Sequence, residues 1–199
     1  LAGMLEEAGI FVLREQREPR WDREVPAQGG GTRWEAAVLD LRMEDPPAAP
    51  LAFGDVVVPT PHASSYREGA AKEDGAAAAA AERGKHRRYP DAGGPGPLTP
   101  FAVESFGRWG SEGLDYLRGA AGAACERNPV LGLAGRNGAA SLLASWLARL
   151  SVCLQRENAA CFRSSVGLAS MASLPGACGW EEDVEGLLLQ AAAFATAVA

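Results

Sequence analysis

The sequence lacks the paired cysteines that hold zinc in small domains. Its four cysteines stand alone and none forms a CxxC pair: Cys125, Cys153, Cys161 and Cys178. The two histidines, His62 and His86, lie far from them along the chain. This spacing disfavours a zinc finger and predicts ordinary buried thiols in a reducing compartment.

The sequence also lacks an excess of basic residues and any long uncharged apolar segment. Lysine and arginine number 19 against 25 acidic residues, and the resulting net charge of −6 argues against coating of nucleic acid by bulk charge. A local basic patch could still bind nucleic acid. No segment predicts a membrane span or a signal peptide, so we expect a soluble intracellular protein with no membrane partner. Because the chain begins at Leu1, we expect it to be part of a longer protein.

What the sequence does contain is a pair of short apolar runs, each with one aspartate. Asp40 lies between Leu39 and Leu41, and Asp55 lies between Gly54 and a run of three valines. Apolar runs of this length, bounded by proline and glycine, predict buried strands. A carboxylate on such a strand must be paired, hydrogen-bonded or bound to a cation, since burying it alone is too costly.

The order of the remaining patterns predicts an α/β (α+β) fold built on a small mixed four-stranded sheet with flanking helices. We expect strands near residues 10–17, 34–42, 51–58 and 98–106, with the first three antiparallel and a crossover helix before the fourth. Helices are predicted over residues 1–8 and 66–88 and from about Ser111. Residues 19–33 contain two prolines and three consecutive glycines and are predicted to be a loop.

From about residue 123 the patterns predict helices only. Residues 139–168 should form one or two helices with a buried apolar stripe, and 184–199 a last helix or frayed tail. The stripe consists of large side chains at three-to-four spacing: Leu142, Leu143, Trp146, Leu147, Leu150 and Leu154. We therefore divide the chain into a core, residues 1–122, and a helical C-terminal extension, residues 123–199.

The two aspartates are separated by fourteen residues, and strand alternation allows both to face the same side. Two carboxylates on neighbouring strands are an arrangement that a hard divalent cation uses. Phosphodiester cleavage needs a deprotonated water and neutralised phosphate charge, which one or two Mg²⁺ ions and a lysine can supply. The candidate lysine is Lys85, which shares a helical face with Tyr89 four residues later.

Four segments, AVLDL, GDVVV, AERGKHRRY and LTPFAVESFGRWG, together resemble a known family. They are similar, over roughly residues 1–122, to the restriction-like endonuclease at the C-terminus of non-LTR retrotransposon proteins, within the PD-(D/E)XK superfamily. The resemblance implies catalytic roles for Asp40, Asp55, Lys85 and Tyr89, with Mg²⁺ or Mn²⁺ held by the two aspartates. It also implies that the enzyme nicks target DNA for retrotransposon insertion in the nucleus. The implied partners are DNA, an upstream reverse transcriptase region and its RNA.

The sequence departs from the superfamily pattern at two positions and leaves several alternatives open. Leu39 replaces the proline before the first aspartate, and Val57 stands where the strand lysine would be. The alternative function is a catalytically inactive, transposon-derived module that binds nucleic acid or another partner. The basic cluster at 83–88, including His86, could grip phosphates or could be a solvated helix end. Three glutamates could be additional ligands or could serve as surface or ion-pair residues: Glu7, Glu15 and Glu104.

Overall fold

A computed structural model describes residues 1–44, 46, 51–90, 96–128 and 138–165. The elements in chain order are α1 (Ala2–Glu7), β1 (Phe11–Arg17), β2 (Arg23–Pro26), β3 (Thr32–Glu35), β4 (Val38–Glu44), β5 (Leu51–Val57), α2 (Arg67–Ala70), α3 (Ala76–Arg88), β6 (Leu98–Ala102), α4 (Ser111–Arg127) and α5 (Gly138–Ser165). The predicted segment at 184–199 lies outside the described residues. No helix within the described ranges is long and apolar enough to cross a membrane.

The main sheet has four strands in the order β1-β4-β5-β6. Strand β4 is antiparallel to both β1 and β5, whereas β5 is parallel to β6, which follows the crossover through α3. The predicted fold class, a small mixed four-stranded sheet with flanking helices, is confirmed. The predicted adjacency of the two aspartate strands is confirmed as well.

Each side of the sheet carries its own helices. On one side, Leu41, Met43 and Phe101 pack with residues of α1, α4 and α5 in the largest core cluster. On the other side, alanines of α3 pack on Val57 and Ala102. This second side is the one that Asp55 faces, because strand residues two apart point in the same direction.

The helix predicted over residues 66–88 is in fact two helices, α2 and α3. The chain breaks at Gly75, which has a left-handed φ of 79° that glycine adopts without steric cost. The N-terminus of α3 is then capped from a distance, since Glu104 Oε1 accepts hydrogen bonds from the N–H groups of Ala77 (3.1 Å) and Ala78 (3.2 Å). These bonds satisfy donors that the first turn of a helix leaves unpaired.

The prediction that residues 19–33 form a loop is wrong. After a 3-10 turn at Pro19–Trp21, strands β2 and β3 pair antiparallel in a separate two-stranded sheet. The three glycines form its turn, all with positive φ. Both strands are largely exposed, Trp34 at 69%, so the hairpin has little of the apolar alternation that marks a half-buried strand.

The predicted apolar helix of the C-terminal extension is present as α5. Trp146 is fully buried, as predicted, while the neighbouring leucines of the stripe are partly buried against the same core. Trp146 lies in the same cluster as Leu5 of α1 and Leu117 of α4. The position chosen to divide core from extension, between residues 122 and 123, falls within α4.

Candidate functional site

Asp40 and Asp55 lie side by side on neighbouring strands. The ladder between β4 and β5 ends with Leu41 opposite Gly54, and one more step of the same register places Asp40 opposite Asp55. The carboxyl of Asp40 is close enough to that of Asp55 to raise the pKa of Asp55. Asp40 Oδ2 also accepts a hydrogen bond from the N–H of Val56 at 2.6 Å, which fixes its orientation beside Asp55.

Lys85 reaches this pair from α3. Its Nζ donates a hydrogen bond to Asp55 Oδ2 at 2.5 Å, and its side chain is 22% exposed. Three alanines of α3 are buried: Ala77, Ala78 and Ala81. Ala78 and Ala81 pack against the sheet, and their small side chains let the helix lie close to it. The ammonium group can therefore reach a carboxylate that is itself buried.

The pKa of Asp55 is raised above its ordinary value. Burial is the largest cause, the ion pair with Lys85 acts in the opposite direction, and the carboxyl of Asp40 raises the pKa further. A buried carboxylate beside a second carboxyl is disfavoured in its charged form unless a positive charge lies nearby. Lys85 supplies one such charge, and a bound cation would supply more.

Tyr89 lies in an aromatic cluster, and none of its described contacts is with Asp40 or Asp55. It is 4% exposed, and its ring packs 5.5 Å from that of Trp21, which in turn meets Phe53 edge-on at 5.4 Å. Phe53 precedes Asp55 by two residues and shares its side of the sheet. The described contacts of Tyr89 thus support the strand that carries Asp55.

Two of the three glutamates considered as further ligands have hydrogen-bond partners away from Asp40 and Asp55. Glu7 accepts hydrogen bonds from Trp146 and Arg149; burial alone would raise its pKa, but these two bonds lower it. Glu104 caps α3. Glu15 is exposed in β1 and has a φ of 51°, and it is missing from the pairing with β4, whereas Arg14 pairs with Leu41 and Gln16 with Leu39.

The basic cluster at 83–88 is largely engaged with carboxylates. Lys85 binds Asp55, Arg88 binds Glu35 at 2.7 Å, and His86 Nε2 lies 2.8 Å from Glu112 Oε2. The sequence left two interpretations of this cluster open, phosphate binding and a solvated helix end. Neither of them fully describes the observed ion pairs.

Sequence reasoning missed Glu82 of α3, a buried carboxyl with a raised pKa. Burial raises that pKa most, while hydrogen bonds from the N–H groups of Glu112 and Gly113 oppose the effect. Glu82 therefore caps α4 and ties it to the helix that carries Lys85. The bond joins residues thirty positions apart, and no local pattern in the sequence indicates it.

The donor set at Asp40 and Asp55 fits a hard divalent cation. Mg²⁺ is usually held by one or two carboxylates, with water and substrate phosphates completing its shell. Within the described part of the chain, no group of three or more aspartate, glutamate, histidine and cysteine side chains is placed to hold a metal. Asp40 and Asp55 could therefore hold such a cation only if water or a substrate supplied its remaining ligands.

Comparison of the chain with family models, with curated protein sequences and with solved structures found no match.

Proposed function

We propose that the chain is a metal-dependent DNA endonuclease with a restriction-endonuclease-like core. The observation that carries the proposal is the convergence of Asp40, Asp55 and Lys85 at one point of the sheet. A buried carboxyl with a raised pKa, such as that of Asp55, is unfavourable for folding and is typical of a site where a charged ligand belongs.

Each residue of the proposed site has a distinct task. Asp40 and Asp55 would hold Mg²⁺ or Mn²⁺, and the N–H of Val56 keeps Asp40 oriented for it. When bound, the cation supplies an ionisable water near neutral pH and neutralises phosphate charge. Lys85 stabilises the charge that builds on the phosphate, because its ammonium is already held at the carboxylate pair.

The role proposed for Tyr89 changes with its position. Its side chain is buried between Trp21 and the end of α3, so we assign it to holding the helix and strand together. Tyr89→Phe should then preserve most of the nicking activity, while Tyr89→Ala should lower it together with stability.

The resemblance of the four sequence segments extends this proposal to a biological setting. We infer a nuclease region of a non-LTR retrotransposon protein, acting on chromosomal target DNA in the nucleus. An upstream reverse transcriptase region and its RNA would be the partners in that setting.

The test is nicking of supercoiled plasmid by the 199-residue chain with Mg²⁺ or with EDTA. We expect nicking only with Mg²⁺, and we expect Asp55→Asn to abolish it. Asp115→Asn is the matched control, since Asp115 is exposed and pairs only with Arg118 among its described contacts. Mg²⁺ should also raise the unfolding temperature of the unmutated chain and not that of Asp55→Asn.

Equal nicking by Asp55→Asn and Asp115→Asn would refute the assignment of the site. DNA binding without Mg²⁺-dependent cleavage by the unmutated chain would instead favour the alternative, an inactive nucleic-acid-binding module.

A further inference from the structure

Three arginines on the Asp55 side of the sheet have guanidinium nitrogens that are buried without a hydrogen-bond acceptor among the described residues. The atoms are Arg20 Nε and Nη1, Arg42 Nε and Arg88 Nε. Among the described residues, the one other buried side-chain polar atom without a hydrogen-bond partner is the hydroxyl oxygen of Tyr116. Unsatisfied buried donors are rare in folded proteins because they lose water without gaining a partner.

All three arginines surround the same aromatic cluster. The guanidinium of Arg20 stacks over Trp21 at 3.8 Å and over Phe53 at 4.7 Å from the ring centres. Arg42 is the direct cross-strand partner of Phe53. Arg88 lies 5.3 Å from the ring centre of Tyr89, which belongs to the same cluster.

This cluster adjoins the carboxylate pair. Arg42 follows Asp40 by two residues in β4, and Phe53 precedes Asp55 by two residues in β5, so all four side chains share one face of the sheet. Arg88 follows Lys85 by three residues on α3, a spacing that keeps the two side chains on neighbouring parts of the helix surface. The donors without acceptors are therefore concentrated beside the proposed site.

Nearby acidic residues orient these arginines without using all their donors. Glu35 accepts from Arg88 at 2.7 Å, and Glu44 lies 3.3 Å from Arg42. Glu18 lies 3.8 Å from Arg20, whose Nη2 donates to the carbonyl of Gly96. Each guanidinium thus keeps at least one inward donor unused.

The ligand that suits these donors is an anion with several oxygens at the spacing of a guanidinium fork. Phosphodiester groups accept such bidentate hydrogen bonds, and a polymer can present several of them in succession. The side chains of Arg42 and Arg88 are 39% and 37% exposed, so a polymer can reach the exposed parts of both, although their Nε atoms are buried.

We propose that Arg20, Arg42 and Arg88 bind the phosphates of the DNA strand that enters the Asp40–Asp55 site. This inference rests on the proposed function and adds to it the residues that hold the substrate backbone beside the scissile position. It assigns no base readout to these arginines, because phosphate contacts position the nucleic acid without reading its sequence.

The test is the salt dependence of DNA affinity for single-arginine variants, measured in EDTA so that cleavage does not intervene. A labelled duplex of about 20 base pairs is titrated with the full chain between about 50 and 200 mM salt. Arg42→Gln and Arg88→Gln should each lower the slope of log affinity against log salt by about 0.9 and weaken binding about tenfold. Arg42→Lys should keep the slope, because the charge remains, and lose part of the affinity.

Arg118→Gln is the matched control. Arg118 is exposed on α4 and pairs with Asp115, and its substitution should change neither slope nor affinity. Thermal unfolding of every variant is measured alongside, and Arg88→Gln and Arg42→Lys provide the test if Arg42→Gln does not fold.

The outcomes separate this inference from the proposed function. Slopes for Arg42→Gln and Arg88→Gln equal to that of Arg118→Gln, or no DNA binding by the unmutated chain, would overturn the inference. If the slopes are equal but Asp55→Asn abolishes Mg²⁺-dependent nicking, the proposed nuclease function would still be supported. Lower slopes without any nicking would support the arginine contacts and refute the nuclease.

Discussion

Asp55 is held by forces that oppose one another. Burial and the neighbouring carboxyl of Asp40 disfavour its charge, while the ammonium of Lys85 favours it. Such a carboxyl lowers the stability of the fold when no cation is bound, and a bound cation would stabilise it most. The same property that weakens the protein would then provide affinity for metal.

The raised pKa of Asp55 has a consequence for stability that depends on pH. Between the ordinary aspartate pKa and the raised value, the folded chain holds more protons than the unfolded chain. The contribution of Asp55 to the free energy of unfolding therefore falls as pH rises through this range. Each pKa unit of difference corresponds to about 1.4 kcal/mol.

We therefore expect Asp55→Asn to gain stability relative to the unmutated chain as the pH rises from the acidic range to neutrality. The asparagine mimics the protonated carboxyl at every pH, so only the unmutated chain acquires the buried charge. Thermal unfolding of both proteins in EDTA measures the difference. A difference that is constant with pH, or that shrinks as pH rises, would contradict the assigned direction.

At the scale of elements, α3 is the part of the fold that presents Lys85, and two buried glutamates hold it. Glu104 caps its N-terminus, and Glu82 on α3 caps α4 in turn. The position of Lys85 therefore depends on contacts more than twenty residues away in the sequence.

Replacing Glu104 tests this dependence. Glu104→Ala leaves the N–H groups of Ala77 and Ala78 buried without acceptors and should lower the free energy of unfolding by about 2–4 kcal/mol. Glu104→Gln keeps an acceptor oxygen and should cost about half as much. Chemical denaturation measures both. Equal losses for the two variants would show that the cap is not the source of the stability.

The strands and the aspartate pair could be predicted from the sequence, because apolar runs with one buried carboxylate are rare and informative. The hairpin of β2 and β3 could not, since its strands bury little and their alternation is weak. The helix break at Gly75 could not be predicted either, because the alanine-rich sequence that follows it favours one continuous helix. The arginines around Phe53 come together only through sheet register and tertiary packing, which single-sequence patterns do not contain.

At the scale of the molecule, α5 completes the core of the described structure. Trp146 packs with residues of α1 and α4, and its Nε1 donates to Glu7 at 3.0 Å. Helix α5 thus covers the side of the sheet opposite to the candidate site.

Loss of this packing should destabilise the fold. Trp146→Ala should lower the free energy of unfolding by about 3–5 kcal/mol, because it removes a fully buried aromatic side chain. Phe162→Ala, at an aromatic residue of the same helix that is 65% exposed, is the control and should change it by less than about 0.5 kcal/mol. Equal, small effects of the two substitutions in urea denaturation would show that α5 does not contribute to the core.

The central claim is that Lys85 acts with Asp40 and Asp55 at one centre of phosphodiester cleavage. The chain contains only one other lysine, Lys72, which is exposed and pairs with Glu68. The most direct measurement is therefore the rate of Mg²⁺-dependent nicking by Lys85→Ala and Lys72→Ala, side by side with the unmutated chain. We expect Lys85→Ala to nick about a hundredfold or more slowly, as is usual when a charge-stabilising group is lost, and Lys72→Ala to nick at the unmutated rate. Equal rates for the two variants would contradict the account.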